Sequence, residues 1–274
     1  MNRAKRTFIT AITGVLMVVI PAAAAQAATV KIAGSTTVQP LAQKIATAWH
    51  NVSHANNATV AGGGSSAGVA CATGGTCDIG TSSRDKKTGE GGTWTPFAKD
   101  AITVIVNPYL YSHGLRNLTL DQVKGIFLGT IRNWHSVGGP NATILVYQRA
   151  ATSGTESKFK ELFLGNTSAT ICCNAPSEAS NGLMRTVVAQ HHFGIGFVSM
   201  YFDLTSTTVT GVSIDGVRPT LLNAKSGRYT FVRTLYLITQ SAHPTGAVAA
   251  FIQYALSHHV QSTIVSSYWI PITT

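Results

Sequence analysis

Charge is scarce in this 274-residue chain: Asp, Glu, Lys and Arg together make up 11% of it, and only 10 residues are acidic. The 20 Lys and Arg still leave a formal net charge of +10, yet they form no basic run. That pattern argues against the dense phosphate-contacting stripe of a nucleic-acid binder and favours a small anion as partner. The 4 cysteines include no CxxC pair, so zinc and thioredoxin chemistry lack their spacing. The pairs His191-His192 and His258-His259 are adjacent, whereas helical metal ligation wants i, i+4; both read as solvated helix ends, and no metal or cofactor is expected. No internal repeat is evident. Beyond residue 20, no apolar run approaches the roughly 20 residues needed to span a bilayer.

What the N-terminus does have is the three-part pattern of an export signal. Arg3, Lys5 and Arg6 precede an apolar run of 13 residues from Phe8 to Ile20, and Ala25-Gln26-Ala27 offers a small-residue cleavage site. A mature chain starting near Ala28 would carry +7, because residues 1–27 hold three cations and no acid. No cysteine stands near the cleavage site to take a lipid, so the expectation is a periplasmic or secreted protein. Export also permits disulfides, with three pairings open to four cysteines. Cys71 and Cys77 enclose a short Gly-rich loop and are expected to pair; Cys172 and Cys173 could bond to each other or elsewhere.

Along the mature chain, β-rich runs alternate with helical patterns, which implies α/β layering with largely parallel strands. Thr29–Ala33 precedes a helix marked by Val38, Leu41, Ile45 and Trp49; Ala58–Ala61 precedes a helix starting near Ser66; Ala101–Val106 is a further strand. Thr119-Leu-Asp-Gln122 is a capping box for a helix that Gly129 ends. Ile144–Gln148 reads as a buried strand leading into Arg149, followed by a helix that buries Phe159, Leu162 and Phe163 and stops at Gly165. A helix over Gly182–Gln190, strands at Gly194–Ser199 and Thr234–Thr239, and a last helix at Ala247–Leu256 complete the pattern. Residues 201–229 read as loop with short strands.

Three strand-to-helix junctions share a composition: Gly34-Ser-Thr-Thr37, Gly62-Gly-Gly-Ser-Ser-Ala-Gly68 and Thr152-Ser-Gly-Thr155. A helix start offers unpaired N–H groups and a partial positive charge, glycine lets backbone approach closely, and Ser or Thr adds a rotatable donor. Each junction is a possible anion clamp. Capping alone explains Ser153 followed by Glu156 as a capping box. It does not explain Arg149 just upstream, on a strand end that faces the same sheet edge as the helix starts. Arg149 adds a planar, charged fork suited to an oxyanion. Arg84, among the hydroxyls of Asp78-Ile-Gly-Thr-Ser-Ser-Arg84, is a second candidate cation.

A rival reading comes from Gly64-Ser65-Ser66-Ala67-Gly68, which matches G-x-S-x-G by letter; a secreted serine hydrolase would use Ser66, with Asp215 and His243 as nominal partners. An oxyanion-binding surface interaction protein is a further alternative.

At these junctions the sequence resembles the extracytoplasmic phosphate-binding proteins of ABC uptake systems, the PstS type. The segments are AGSTTVQPLAQKIATAW (33–49), GGGSSAGV (62–69), DIGTSSR (78–84), LTLDQVKGIFLGTIRNW (118–134), VYQRAATSGTESKF (146–159), SNGLMRTVVAQHHFGIGFVSM (180–200) and RYTFVRTLYLIT (228–239), in the family's order. The resemblance implies a two-lobed, type II periplasmic-binding-protein-like fold with the ligand cleft between the lobes. One lobe would be residues 28–104 plus 230–274 and the other 105–229, with crossings near Ile105–Asn107 and Thr230–Arg233. It implies a non-enzymatic monomer that captures inorganic phosphate, or another tetrahedral oxyanion, for an ABC permease, with no nucleic acid involved. Carried over by position, the ligand contacts would be Thr36, Thr37, Ser65, Ser83, Arg84, Arg149, Ser153, Gly154 and Thr155. One departure stands out: the family often has an acidic residue two places after the arginine, and here that place is Ala151.

Overall fold

The computed structural model describes residues 29–272, so the expected export signal lies outside the described residues. The principal elements are β1 (Thr29–Gly34), α1 (Gln39–Val52), β2 (Asn57–Gly63), α2 (Ser65–Thr73), β3 (Ile79–Ser82), β4 (Thr93–Val106), α3 (Leu120–Leu128), β5 (Leu145–Val146), α4 (Gly154–Leu164), α5 (Asn181–Gln190), β6 (Gly194–Ser199), β7 (Val232–Thr239) and α6 (Gly246–Leu256). No helix among the described residues is long and apolar enough to cross a membrane.

The expected α/β fold in two lobes is what the chain forms, and one strand joins the lobes. The strands run β2-β1-β3-β7-β4-β6-β5 across a sheet that is mixed rather than largely parallel as expected, because β7 is antiparallel to both its neighbours and β4 to β6. β1 lies parallel to β2 and β3, as helical crossovers require. β4 is 14 residues long and changes partner midway. Its first half pairs antiparallel with β7, from Thr93↔Thr239 to Ala101↔Val232; its second half pairs with β6, from Ile102↔Ser199 to Val106↔Ile195. The expected strand at Ala101–Val106 is therefore only the second half of a longer one. A register shift between Leu235 and Tyr236 falls opposite Pro96, which has no N–H for the ladder.

Each half of β4 sits in its own core. On one side Leu41, Ile45 and Trp49, recurring at helical spacing on α1, pack with Ile32, Phe97, Leu237 and Phe251. On the other, Val123, Ile126 and Phe127 of α3 meet Phe159 and Phe163 of α4 and Phe197 of β6. Phe159 stacks on Phe197 at 3.8 Å between centroids. Thr119 and Gln122 form the expected capping box, and Gly129 and Gly165 end α3 and α4 in the left-handed conformation.

Two further expectations need correction. The run Ile144–Gln148 is not one strand: Leu145–Val146 joins the main sheet beside β6, whereas Gln148–Arg149 pairs with Ser177–Glu178. Residues 201–229 contain the short strands Thr210–Gly211 and Ser213–Ile214, but also helical turns at Met200–Leu204 and Leu221–Lys225 too short to show periodicity. Further turns at His258–Val260, Gln261–Val265 and Ser266–Tyr268 follow α6. Cys71 is bonded to Cys77 as expected, and of the alternatives open to the other two cysteines, the Cys172–Cys173 bond is the one formed.

Truncating Phe159 to Ala should cost about 3–5 kcal/mol, the usual cost of deleting a buried ring. Urea unfolding of Phe159→Ala checks this, and a loss below about 1 kcal/mol would contradict the packing described.

Candidate anion-binding site

The three hydroxyl–glycine junctions converge at the seam between the lobes. β1 delivers Ser35-Thr36-Thr37 to the start of α1, where the Ser35 hydroxyl accepts the Thr37 N–H at 3.2 Å. β2 delivers Ser65 to the start of α2 through Gly64, whose φ of 96° is one that only glycine adopts easily. The third junction brings Ser153, Gly154 and Thr155 at the start of α4. Ser66 N–H donates to the Thr152 carbonyl at 3.1 Å, tying the second junction to the third. A Cβ on Gly154 would collide with the hydroxyls of Ser65 and Ser83, so glycine is what permits this approach.

The hydroxyls then touch one another. Thr37 and Thr155 lie 3.0 Å apart across the seam. Ser35 donates to Ser83 at 2.9 Å, and Ser83 N–H donates to Ser65 Oγ at 3.1 Å. Thr36, Thr37, Ser65, Ser83, Arg84, Arg149, Ser153, Gly154 and Thr155 are all buried. Removed from water, their donors are strong toward an anion and costly if unpaired.

Arg149 dominates the electrostatics. It is 1% exposed. Its Nε donates to the Glu178 carbonyl at 3.0 Å, and its Nη2 to Thr36 at 3.1 Å and the Ala179 carbonyl at 3.3 Å. Its Nη1 is buried without a partner. Burial, and next the neighbouring Arg233, pull its pKa down to about 9, against Glu156 and Glu178, so it stays charged at neutral pH. Glu156 does not close the expected capping box: Ser153 caps Thr155 and Glu156, but the Glu156 carboxylate instead accepts the Arg149 N–H at 2.9 Å.

Sequence reasoning missed three residues here. Arg233, on β7, is bound to Asp100 of β4 at 2.7 Å and also donates to Thr155 at 3.0 Å and Thr37 at 3.1 Å. Burial lowers the Arg233 pKa and raises that of Asp100, and each is opposed by the other's charge. Asn181, the first residue of α5, donates to Thr36 at 3.2 Å and Thr37 at 3.0 Å. Arg233 and Asn181 both fall in segments that carried the family resemblance, but nothing in their neighbourhood marked them as polar centres.

The pattern describing the PBP superfamily domain matches residues 20–259. A solved chain from Clostridium perfringens, assigned as a phosphate ABC transporter substrate-binding protein and holding bound phosphate, is 30% identical; the match covers 90% of this chain and all of that one, with a TM-score of 0.83. The chain belongs to the PBP superfamily, with the PstS-type substrate-binding proteins. The phosphate-binding protein PstS of Bacillus subtilis is 28% identical over 248 residues, covering 88% of this chain and 80% of the relative. An ABC-type phosphate transport receptor from Vibrio cholerae is 27% identical, covers 88% of this chain and 99% of its own, and superposes with a TM-score of 0.70.

Two sequence candidates sit differently in this PBP superfamily member. Arg84 is buried at the site's edge, but its guanidinium is turned to Glu90, at 2.6 and 2.8 Å, and so is already neutralised. Of the hydrolase residues, Ser66 faces Arg84, Asp215 accepts Leu120 N–H, and His243 N–H donates to Ser241; no bond joins the three among the described residues.

Outside the buried cluster, a cleft of about 560 Å³ is lined by Arg84, Lys86, Lys87 and Lys158 among others. Lys158 crosses the seam to Asp85 at 2.9 Å, and Tyr236 donates to the same carboxylate at 2.8 Å. Burial raises the Asp85 pKa, but these two hydrogen bonds outweigh it and hold the group low.

Replacing Asp100 with Asn should cost about 3–5 kcal/mol of stability, because it leaves the Arg233 charge buried without its counter-charge. Denaturant unfolding measures it; a loss under about 1 kcal/mol would show that the pair does not hold the seam.

Proposed function

We propose that this protein is a non-enzymatic, monomeric receptor that captures inorganic phosphate outside the cytoplasmic membrane and presents it to an ABC permease. Its two jaws, one on each half of β4, close on the anion at the seam. The observation that carries this reading is Arg149 Nη1, a charged donor buried with no protein partner among converging hydroxyls and helix starts. An oxyanion supplies what that donor lacks, and its negative charge relieves the repulsion between Arg149 and Arg233. The phosphate-binding relatives and the phosphate-bound neighbour support phosphate as that anion.

The proposed ligand set keeps Thr36, Thr37, Ser65, Ser83, Arg149, Ser153, Gly154 and Thr155. Arg84 acts at one remove, since its charge is spent on Glu90. Bonds such as Arg149 to Thr36 and Thr37 to Thr155 join the two jaws directly, so the anion and the protein's own hydroxyls hold the closed form together. Release then requires only that these short-range bonds part, which suits a carrier that must hand its cargo on.

Phosphate at about 100 times its dissociation constant should add roughly 2.7 kcal/mol of stability, a rise in melting temperature of about 5–10 °C. Arg149→Ala should weaken binding about 10- to 100-fold, the worth of one charge-assisted hydrogen bond. A melting scan with phosphate checks the first and calorimetric titration the second, and an unchanged affinity in Arg149→Ala removes that residue from the site.

A further inference from the structure

The hydrogen-bond directions around Thr36 and Thr37 are determined by groups that can only donate. Ser199 N–H meets one side-chain atom of Asn181 at 3.0 Å, so that atom is the carbonyl oxygen and the amide nitrogen faces the threonines. Thr36 Oγ1 then receives N–H bonds from Asn181 and from Arg149, which fill both its lone pairs. Thr37 Oγ1 likewise receives Asn181 and Arg233. Its proton goes to Thr155 Oγ1, 3.0 Å away, and that oxygen also accepts from Arg233. Thr155 therefore has no lone pair left either. The hydroxyl protons of Thr36 and Thr155 therefore point away from these donors, and Thr36 bonds the same guanidinium whose Nη1 has no partner.

Resting on the phosphate-receptor reading above, we infer that Asn181 is a positioning residue that sets this side of the site to donors only, and that the site accepts fully deprotonated tetrahedral oxyanions, sulfate included, nearly as well as hydrogenphosphate. Among the described residues, the two buried carboxylates of the seam, Asp100 and Glu156, are both already engaged. Asp100 is engaged by Arg233 and the Ser199 hydroxyl, and Glu156 by the Arg149 N–H and Lys160. Position 151, beside the arginine, is alanine. Ser83 accepts the Ser35 hydroxyl and shares a longer contact of 3.4 Å with the Ser65 hydroxyl, so a phosphate proton meets at best a neutral acceptor there. One neutral hydrogen bond changes affinity by about tenfold or less.

The test is calorimetric titration of the full chain with phosphate and with sulfate, under alkaline conditions where hydrogenphosphate predominates. In the unaltered protein the two dissociation constants should lie within about tenfold. Asn181→Ala frees a lone pair on Thr36, so both anions bind more weakly but the ratio moves toward phosphate, by about tenfold. Thr36→Val, which keeps the shape and removes the outward proton, should weaken both anions alike and leave the ratio unchanged. Sulfate binding more than about 100-fold weaker than phosphate would overturn the inference, as would an unmoved ratio in Asn181→Ala or a Thr36→Val loss confined to phosphate. Failure of the unaltered protein to bind either anion would instead overturn the receptor reading itself.

Discussion

Two guanidinium groups are buried at the lobe seam, Arg233 close enough to lower the pKa of Arg149, and a single carboxylate, Asp100, is bonded to one of them. This imbalance governs the rest of the site. Arg233 is paired with Asp100 and spends its remaining donors on Thr37 and Thr155. Arg149 has carbonyls and one hydroxyl as partners, and one nitrogen with none. A buried surplus of positive charge is unfavourable alone and becomes favourable when an anion arrives, which is the thermodynamic requirement for a receptor that closes on its ligand.

The scaffold serves that arrangement through one strand. Because β4 pairs with β7 along its first half and β6 along its second, Asp100 sits beside the change of partner, within reach of Arg233 on one neighbour and Ser199 on the other. The separate cores on either side let each lobe keep its own shape while the seam between them is made of polar contacts. Polar contacts of this kind are directional and short-ranged, so small displacements at the seam exchange protein partners for water or ligand.

Much of the site was legible locally. Gly-hydroxyl junctions before amphipathic runs mark helix starts because capping is a property of a few adjacent residues, and Arg149 was singled out by standing at a strand end beside one of them. The roles of Arg84 and Glu156 were not legible, since each depends on which of several neighbours a flexible side chain selects: Glu90 for Arg84, the Arg149 N–H for Glu156. Asn181 and Arg233 were hidden for a stronger reason. Their threonine partners are 145 and 196 residues away in sequence.

By itself the sequence determined the periodic helices, the glycine-permitted turns, the likeness to phosphate-binding proteins and the kind of chemistry on offer, namely neutral donors and a few cations. These follow from spacing and residue type over short stretches, where backbone propensity and side-chain pattern act. Only the tertiary structure decided which cation is neutralised, which is left over, and which way each hydroxyl proton points. Those outcomes depend on distances between groups far apart in the chain, and a hydrogen bond exists only within about 3 Å of a correctly oriented partner.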